Sequence, residues 1–284
     1  MTELLRGAPV AAVLTEDVAA RAASLAGRGV VPTLAILRVG ERSDDLSYER
    51  AAVKRCEKVG VAARVLAFPE DAGTEVLLAA VRDVNENPAI HGCLIMRPLP
   101  AHVDEAAVCA ALDPAKDVDG VTAGSLYGVF AGQGVGFPPC TAQAVLALLD
   151  HYGVRLSGAR AAVVGRSLVI GRPVAMMLLA RDATVTLCHT RTADLADELR
   201  RADVIVCAAG HAGTVGADAL RPGQVVVDVG INWDEQSQSL VGDVDAAAAD
   251  GVVRAITPVP GGVGSVTTAI LARHVVEATE RSCS

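Results

Sequence analysis

The sequence predicts an α/β protein of two domains, and three observations carry that expectation. Short runs rich in Val, Ile and Ala alternate with longer segments of helical length. A stretch dense in Gly and Pro, residues 113–139, interrupts the alternation near the middle. The length, 284 residues, suits one large or two modest domains.

In chain order, the pattern predicts an Ala-rich helix over 11–26, a strand over 33–39, a helix over 46–58, a strand over 62–68 and a helix over 74–84. A strand over 92–96 follows and stops against Pro98, giving three parallel strands in the first half. Residues 113–139 are expected as loop, because Pro114, Gly120, Gly124, Gly128, Gly132, Gly134, Gly136 and the pair Pro138-Pro139 punctuate them. The second block reads helix 141–152, strand 161–164, helix 171–179, strand 184–187, helix 193–200, and strands 204–208 and 225–229. A final helix over 265–280 is expected to return to the first domain, so the boundaries are 1–140 completed by 265–284, and 141–264.

Composition narrows the function. With 51% hydrophobic and 20% charged residues the chain can bury sizeable cores and lacks the signature of disorder. Three Phe, three Tyr and one Trp leave no aromatic ladder for stacking bases, and a net charge of -8 argues against a phosphate-backbone partner, so no nucleic acid is expected. The seven Cys form no CxxC pair and no His-Cys ligand cluster, which predicts reduced thiols, no metal site and a cytoplasmic protein. No apolar run reaches the ~18 residues of a membrane span, and the first residues do not read as a signal, so no membrane association is expected.

The strand 161–164 runs into Gly165-Arg166-Ser167-Leu168-Val169-Ile170-Gly171-Arg172-Pro173, after which an apolar helix opens. A glycine turn between strand and helix brings backbone N–H groups and the helix dipole to a pyrophosphate. The spacing is longer than GxGxxG, and an ordinary tight turn would also fit it. The following strand ends in Cys188-His189-Thr190-Arg191-Thr192, where this fold meets the adenosine ribose. Thr190 and Arg191 offer a hydroxyl and a cation to a 2′-phosphate, which points to NADP rather than NAD. His189 and Asp228 are expected as structural residues, the latter capping backbone at a strand end.

Several runs in this order resemble the methylenetetrahydrofolate dehydrogenase/cyclohydrolase family across nearly the whole chain: Pro98-Leu99-Pro100, Lys116-Asp117-Val118-Asp119-Gly120, Pro139-Cys140-Thr141, Gly165-Arg166-Ser167, Gly242-Asp243-Val244-Asp245 and Pro258-Val259-Pro260-Gly261-Gly262-Val263-Gly264. The resemblance implies an N-terminal folate domain, a Rossmann NADP domain, a cleft between them and a homodimer. It implies Tyr48 beside the pterin and Asp119 gripping the pterin's donor edge, with Pro98, Leu99, Pro260, Gly261 and Gly262 also on the substrate. For Asp119, a carboxylate bonding its own loop is the competing reading. The implied cofactor set is Gly165, Arg166, Ser167, Val169, Gly171, Thr190, Arg191, Ala209, Gly210 and Ile231.

The chain departs from that pattern on the folate side. Where the family carries Tyr-x-x-x-Lys, the helix reads Tyr48-Glu49-Arg50-Ala51-Ala52, and Lys54, about 240° round from Tyr48, should point away. The glutamine of Gln-x-Pro-Leu-Pro is Met96. Asp45, Ser125 and Ser265 replace other family residues, and Arg97 offers a cation for a folate's acidic tail. Hydride transfer needs mainly alignment of two bound molecules, whereas hydrolysis of the methenyl cation needs a tuned base or polarising group. The sequence therefore points to an NADP-dependent methylenetetrahydrofolate dehydrogenase with weak or absent cyclohydrolase activity. A paralogue acting on another folate or aminal, or a silent NADP-binding subunit, remains open.

Overall fold

In the computed structural model residues 1–235 and 238–283 are described. The elements run β1 (Glu3–Leu4), α1 (Gly7–Gly27), β2 (Thr33–Val39), α2 (Ser43–Val59), β3 (Ala62–Phe68), α3 (Thr74–Glu86), β4 (Gly92–Ile95), α4 (Glu105–Ala111), α5 (Ala123–Ala131) and α6 (Cys140–His151). They continue with β5 (Arg160–Val164), α7 (Gly171–Leu179), β6 (Thr184–Cys188), α8 (Leu195–Arg201), β7 (Val204–Cys207), β8 (Val225–Asp228), β9 (Asn232–Asp234), β10 (Ser239–Val241), α9 (Ala246–Ala249), β11 (Ala255–Ile256) and α10 (Gly264–Ser282). The chain divides into two compact units: Ala12–Cys140 with Thr268–Ser284, and Met1–Ala11 with Thr141–Thr267.

The first unit holds a parallel sheet in the order β3-β2-β4. All seven residues of β2 are buried, as a central strand covered on both faces requires, and its sequence TLAILRV is accordingly a nearly unbroken apolar run. On α2 the buried positions are Asp45, Ala52, Cys56 and Val59, a stripe at helical spacing. The helix stops at Gly60, whose φ of +77° supplies the left-handed cap. Arg38 on β2 pairs with Glu49 on α2 at 2.7 Å, fixing the turn that carries the preceding residue, Tyr48.

The second unit is a six-stranded sheet in the order β1-β11-β8-β7-β5-β6, every pairing parallel. Strand order reverses at β5, whose neighbours are β6 on one side and β7 on the other. Ligands of open α/β sheets bind in the crevice outside the strand ends at such a point.

The helices α4 and α9 and the strand β11 were not expected from the sequence, and three further features differ from it. Residues 1–11 belong to the second unit, because β1 pairs with β11; a two-residue strand leaves no periodicity to read. Within 113–139, expected as loop, α5 forms, since the Thr122 hydroxyl accepts the Ser125 N–H at 3.1 Å and Gly132, φ +64°, ends it. Gly128 within it is needed because a Cβ there would press on the Val135 carbonyl. The third addition is the hairpin β9-β10, whose connecting residues 236–237 lie outside the described set. Among the described residues no helix is long and apolar enough to cross a membrane.

Candidate active site

On the second unit the turn after β5 is tightly built. Gly165 has φ +112°, its N–H donates to the Cys188 carbonyl at 2.9 Å, and a Cβ on it would press on the Ala208 carbonyl. A Cβ on Gly171 would press on the Gly165 carbonyl. These two glycines therefore let the strand end, the neighbouring β7 loop and the α7 N-terminus crowd together. The Ser167 hydroxyl accepts the Ile170 N–H at 3.1 Å and helps to shape the helix entry, while Arg166 and Val169 stand exposed in the turn.

Because Val164 pairs with Cys188, the loops after β5 and β6 leave the same sheet edge side by side. His189 shapes the second of these: its N–H donates to the Thr192 hydroxyl at 2.9 Å and its Nδ1 accepts the Arg191 N–H at 3.1 Å. Thr190 and Arg191 are exposed on this turn. A bare-backbone turn, a helix N-terminus, two exposed arginines and a hydroxyl form a donor set that fits a phosphorylated dinucleotide.

Two aspartates knit the remaining loops together. Asp228 accepts N–H bonds from Gly230, Asp243 and Val244 at 2.9, 3.0 and 2.9 Å. Asp243 accepts the Ala209 and Gly210 N–H groups at 2.7 and 2.9 Å and the Asn232 amide at 2.9 Å. Burial pushes the Asp228 carboxyl up to about 6 against these bonds. Side chains on Gly230 or Gly242 would collide with the two carboxylates. Asp228 is thus the backbone cap expected of it. Asp243 is the residue the sequence reading passed over, although the run Gly242 to Asp245 contained it.

Pro260, Gly261 and Gly262 also lie on this unit. With Ile231 they line a cavity of about 300 Å³ beside the loop after β8. The Gly261 carbonyl, at φ +102°, accepts the Gly7 N–H at 2.8 Å, so the start of α1 pins the loop.

The first unit gathers the other candidates. Tyr48, half-buried on α2, has its hydroxyl pushed well above the usual value by burial and by the nearby charges of Asp119 and Cys140. Burial likewise pushes Asp119 up to about 6, against the opposing influence of Arg97 and the neighbouring Cys140 thiol. The loop-capping role belongs to Asp117, which accepts the Val121 and Thr122 N–H groups at 3.0 and 2.7 Å. Cys140 was not singled out in the sequence. Its thiol donates to the Val118 carbonyl at 3.2 Å, and the same carbonyl accepts Nδ1–H of the buried His274 at 2.8 Å.

Ala52 is 0% exposed and Met96 5% exposed, whereas Lys54 lies on the exposed side of α2, as the helical angle requires. Asp45 is buried in the first turn of α2. The peptide bond Arg97–Pro98 is cis, and the Pro98 carbonyl accepts from Arg42 at 3.0 Å. Leu99 is buried and its N–H donates to Glu105 at 2.7 Å. Arg97 pairs with Glu105 at 3.8 Å.

Comparison with known proteins adds a consistent set of likenesses. The model for the tetrahydrofolate dehydrogenase/cyclohydrolase catalytic domain matches residues 5–119, and that for the family's NAD(P)-binding domain matches residues 139–283. Bifunctional protein FolD of Carboxydothermus hydrogenoformans is 47% identical over 99% of this chain and 98% of its own length. The crystal structure of the bifunctional FolD enzyme of Campylobacter jejuni superposes with a TM-score of 0.96 at 36% identity, covering 99% of both chains. That of the Trypanosoma brucei dehydrogenase-cyclohydrolase, complexed with NADP cofactor and inhibitor, gives 0.93 at 34% identity over 99% of this chain and 98% of the other.

Proposed function

The chain belongs to the tetrahydrofolate dehydrogenase/cyclohydrolase family, and from that premise we propose that it oxidises 5,10-methylenetetrahydrofolate to the 5,10-methenyl form with NADP and hydrolyses the product weakly or not at all. Bound NADP supplies the hydride acceptor. The turn 165–171 and the α7 N-terminus hold the pyrophosphate, and Thr190 and Arg191 take the 2′-phosphate. Asp119, as a carboxylate, accepts the adjacent N–H donors of the aminopyrimidinone edge. Tyr48 lies beside the pterin.

The folate nitrogens release electrons into the methylene carbon as hydride leaves, so oxidation generates the methenyl cation with no proton to remove. Alignment is the chief requirement. Hydrolysis must place and activate a water and then manage protons as the ring opens. The observation that carries the division is Ala52: a buried methyl occupies the position one turn from Tyr48 where the family resemblance expects lysine, and Lys54 lies on the exposed side. Met96, where the family resemblance expects glutamine, is a thioether with no proton to donate.

The test is to mix the purified protein with 5,10-methylenetetrahydrofolate and NADP and follow the full absorbance spectrum. NADPH formation with accumulating methenyltetrahydrofolate, decaying no faster than in buffer, is the expected result. Catalysed hydrolysis at a rate comparable with oxidation would remove the second half of the proposal, and absence of NADPH would remove the first. A homodimer belongs to the same reading, and sedimentation velocity at twice the chain mass checks it.

A further inference from the structure

The Val118 carbonyl, one peptide bond before Asp119, receives two donors from distant parts of the first unit. Nδ1 of His274, on α10, lies 2.8 Å from it, and the Cys140 thiol, at the start of α6, lies 3.2 Å from it. A carbonyl oxygen has two lone pairs, so it accepts both bonds at once. The donors stand side by side, 3.7 Å apart, and all three residues are buried. Because the oxygen can only accept, Nδ1 carries the proton. Burial keeps the imidazole neutral, its pKa pushed down to about 3, so the donor does not change with pH around neutrality.

The imidazole is itself fixed in direction. Phe137 packs against it with ring centroids 5.0 Å apart. Arg281, two turns further along α10, lies over the Phe137 ring at 4.3 Å and donates to the Gly136 carbonyl at 2.9 Å. One helix thus grips residues 136–137 and the loop that carries Asp119. These two segments also touch, since Gly120 has φ +69° and a Cβ on it would press on the Pro139 nitrogen. On its other side the loop is tied to β4, where the Cys93 N–H donates to the Lys116 carbonyl at 2.7 Å. A peptide group is planar, so fixing the Val118 oxygen fixes the plane that holds the Asp119 nitrogen and Cα, from which the carboxylate departs.

We propose that His274 is a positioning residue for the pterin-binding carboxylate: through the Val118 carbonyl it sets the backbone from which Asp119 reaches the substrate, with the Cys140 thiol as the second donor. The proposal rests on the folate reading above for its substrate. His274 acts here without touching the folate and without exchanging a proton.

Asparagine is the informative replacement, because its Nδ2, like the histidine Nδ1, is bonded to Cγ and can bring an N–H to the Val118 oxygen, whereas the glutamine nitrogen stands one bond further out. His274→Leu should raise the KM for 5,10-methylenetetrahydrofolate by about tenfold, with kcat and the KM for NADP within about twofold of wild type. H274N should bring the folate KM back to within about twofold of wild type, and H274Q should not. Amide hydrogen exchange at Val118 and Gly120, whose N–H groups are bonded within the loop, reads the backbone without substrate. It should quicken in H274L and H274Q and stay at the wild-type rate in H274N.

A folate KM in H274L within about twofold of wild type overturns the proposal. So does equal impairment of H274L and H274N, or a rise in the NADP KM that matches the rise for folate, either of which marks a general loosening around α10. Urea unfolding verifies that each variant is folded, and H274Q takes the place of H274L where the latter does not fold. Failure of the wild type to reduce NADP would refute the dehydrogenase reading, while exchange at Val118 and Gly120 would still decide whether His274 sets this loop.

Discussion

Replacing Asp243 by alanine should damage stability and cofactor binding together. The carboxylate is fully buried and accepts three N–H bonds, from Ala209, Gly210 and Asn232, at 2.7 to 2.9 Å. Hydrogen bonds to a charged acceptor contribute about 1.5–3 kcal/mol each, so the lower end already implies a loss of about 4–5 kcal/mol. Part of this is offset, because Asp243 repels the buried Asp228 and its removal eases that carboxyl back toward its ordinary range. A net cost of about 3–4 kcal/mol is expected, a large fraction of the ~5–15 kcal/mol that holds a typical domain folded.

The conservative variant Asp243→Asn should recover little. An amide has one oxygen, and the other position then presents N–H donors either to the Ala209 and Gly210 N–H groups or to the Asn232 amide, all of which also donate. Urea unfolding at pH 7, followed by far-ultraviolet circular dichroism, reads the stability change. Titration of NADP against intrinsic fluorescence reads the second consequence, a drop in affinity of about tenfold or more as the Ala209–Gly210 loop loses its anchor. A D243A protein within about 1 kcal/mol of wild type would refute the assignment of this carboxylate as the tie between the loops after β7 and β8.

Other changes test other parts of the account. Arg191→Ala should lower the kcat/KM ratio of NADP over NAD by about tenfold or more while leaving NAD turnover near its wild-type rate, measured with both cofactors at saturating folate. The double variant A52K/M96Q should raise methenyltetrahydrofolate hydrolysis, with general acid–base catalysis setting a scale of about 10²-fold, read from decay of the methenyl absorbance. His274, held neutral by burial with its pKa pushed down to about 3, binds no proton in the folded chain while the unfolded chain binds one below ~6.5. Stability is therefore withdrawn as pH falls from about 6.5 toward 3, and wild type should lose about 2 kcal/mol more than H274N between pH 7 and 5 in urea unfolding.

What the sequence made legible follows from how far apart the interacting residues lie. Strands β2 and β3 and helix α7 have the predicted bounds: burial on both faces writes an unbroken apolar run for β2, β3 is a half-exposed edge strand of seven residues that pairs with it along its whole length, and Gly171 and Pro173 mark the start of α7 locally. The exposure of Lys54 and burial of Ala52 likewise need only the 3.6-residue helical period. α5 escaped because its glycine-rich sequence has poor intrinsic helicity, and what requires Gly128 is a carbonyl seven residues on.

Asp243 escaped for the same reason at longer range: two of its three partners are 33 and 34 residues earlier in the chain. The bond that joins His274 to the Val118 carbonyl spans 156 residues, so no local pattern could have revealed it. Arg97 is the instructive case. Beside Pro98 it offers a cation, and Glu105, eight residues further on at a helix start, pairs with it at 3.8 Å, a partner that the letters alone do not single out. Asp119 was visible in the sequence, while the placement of its loop beside β4, through the pairing of Asp117 with Cys93, is supplied only by the fold.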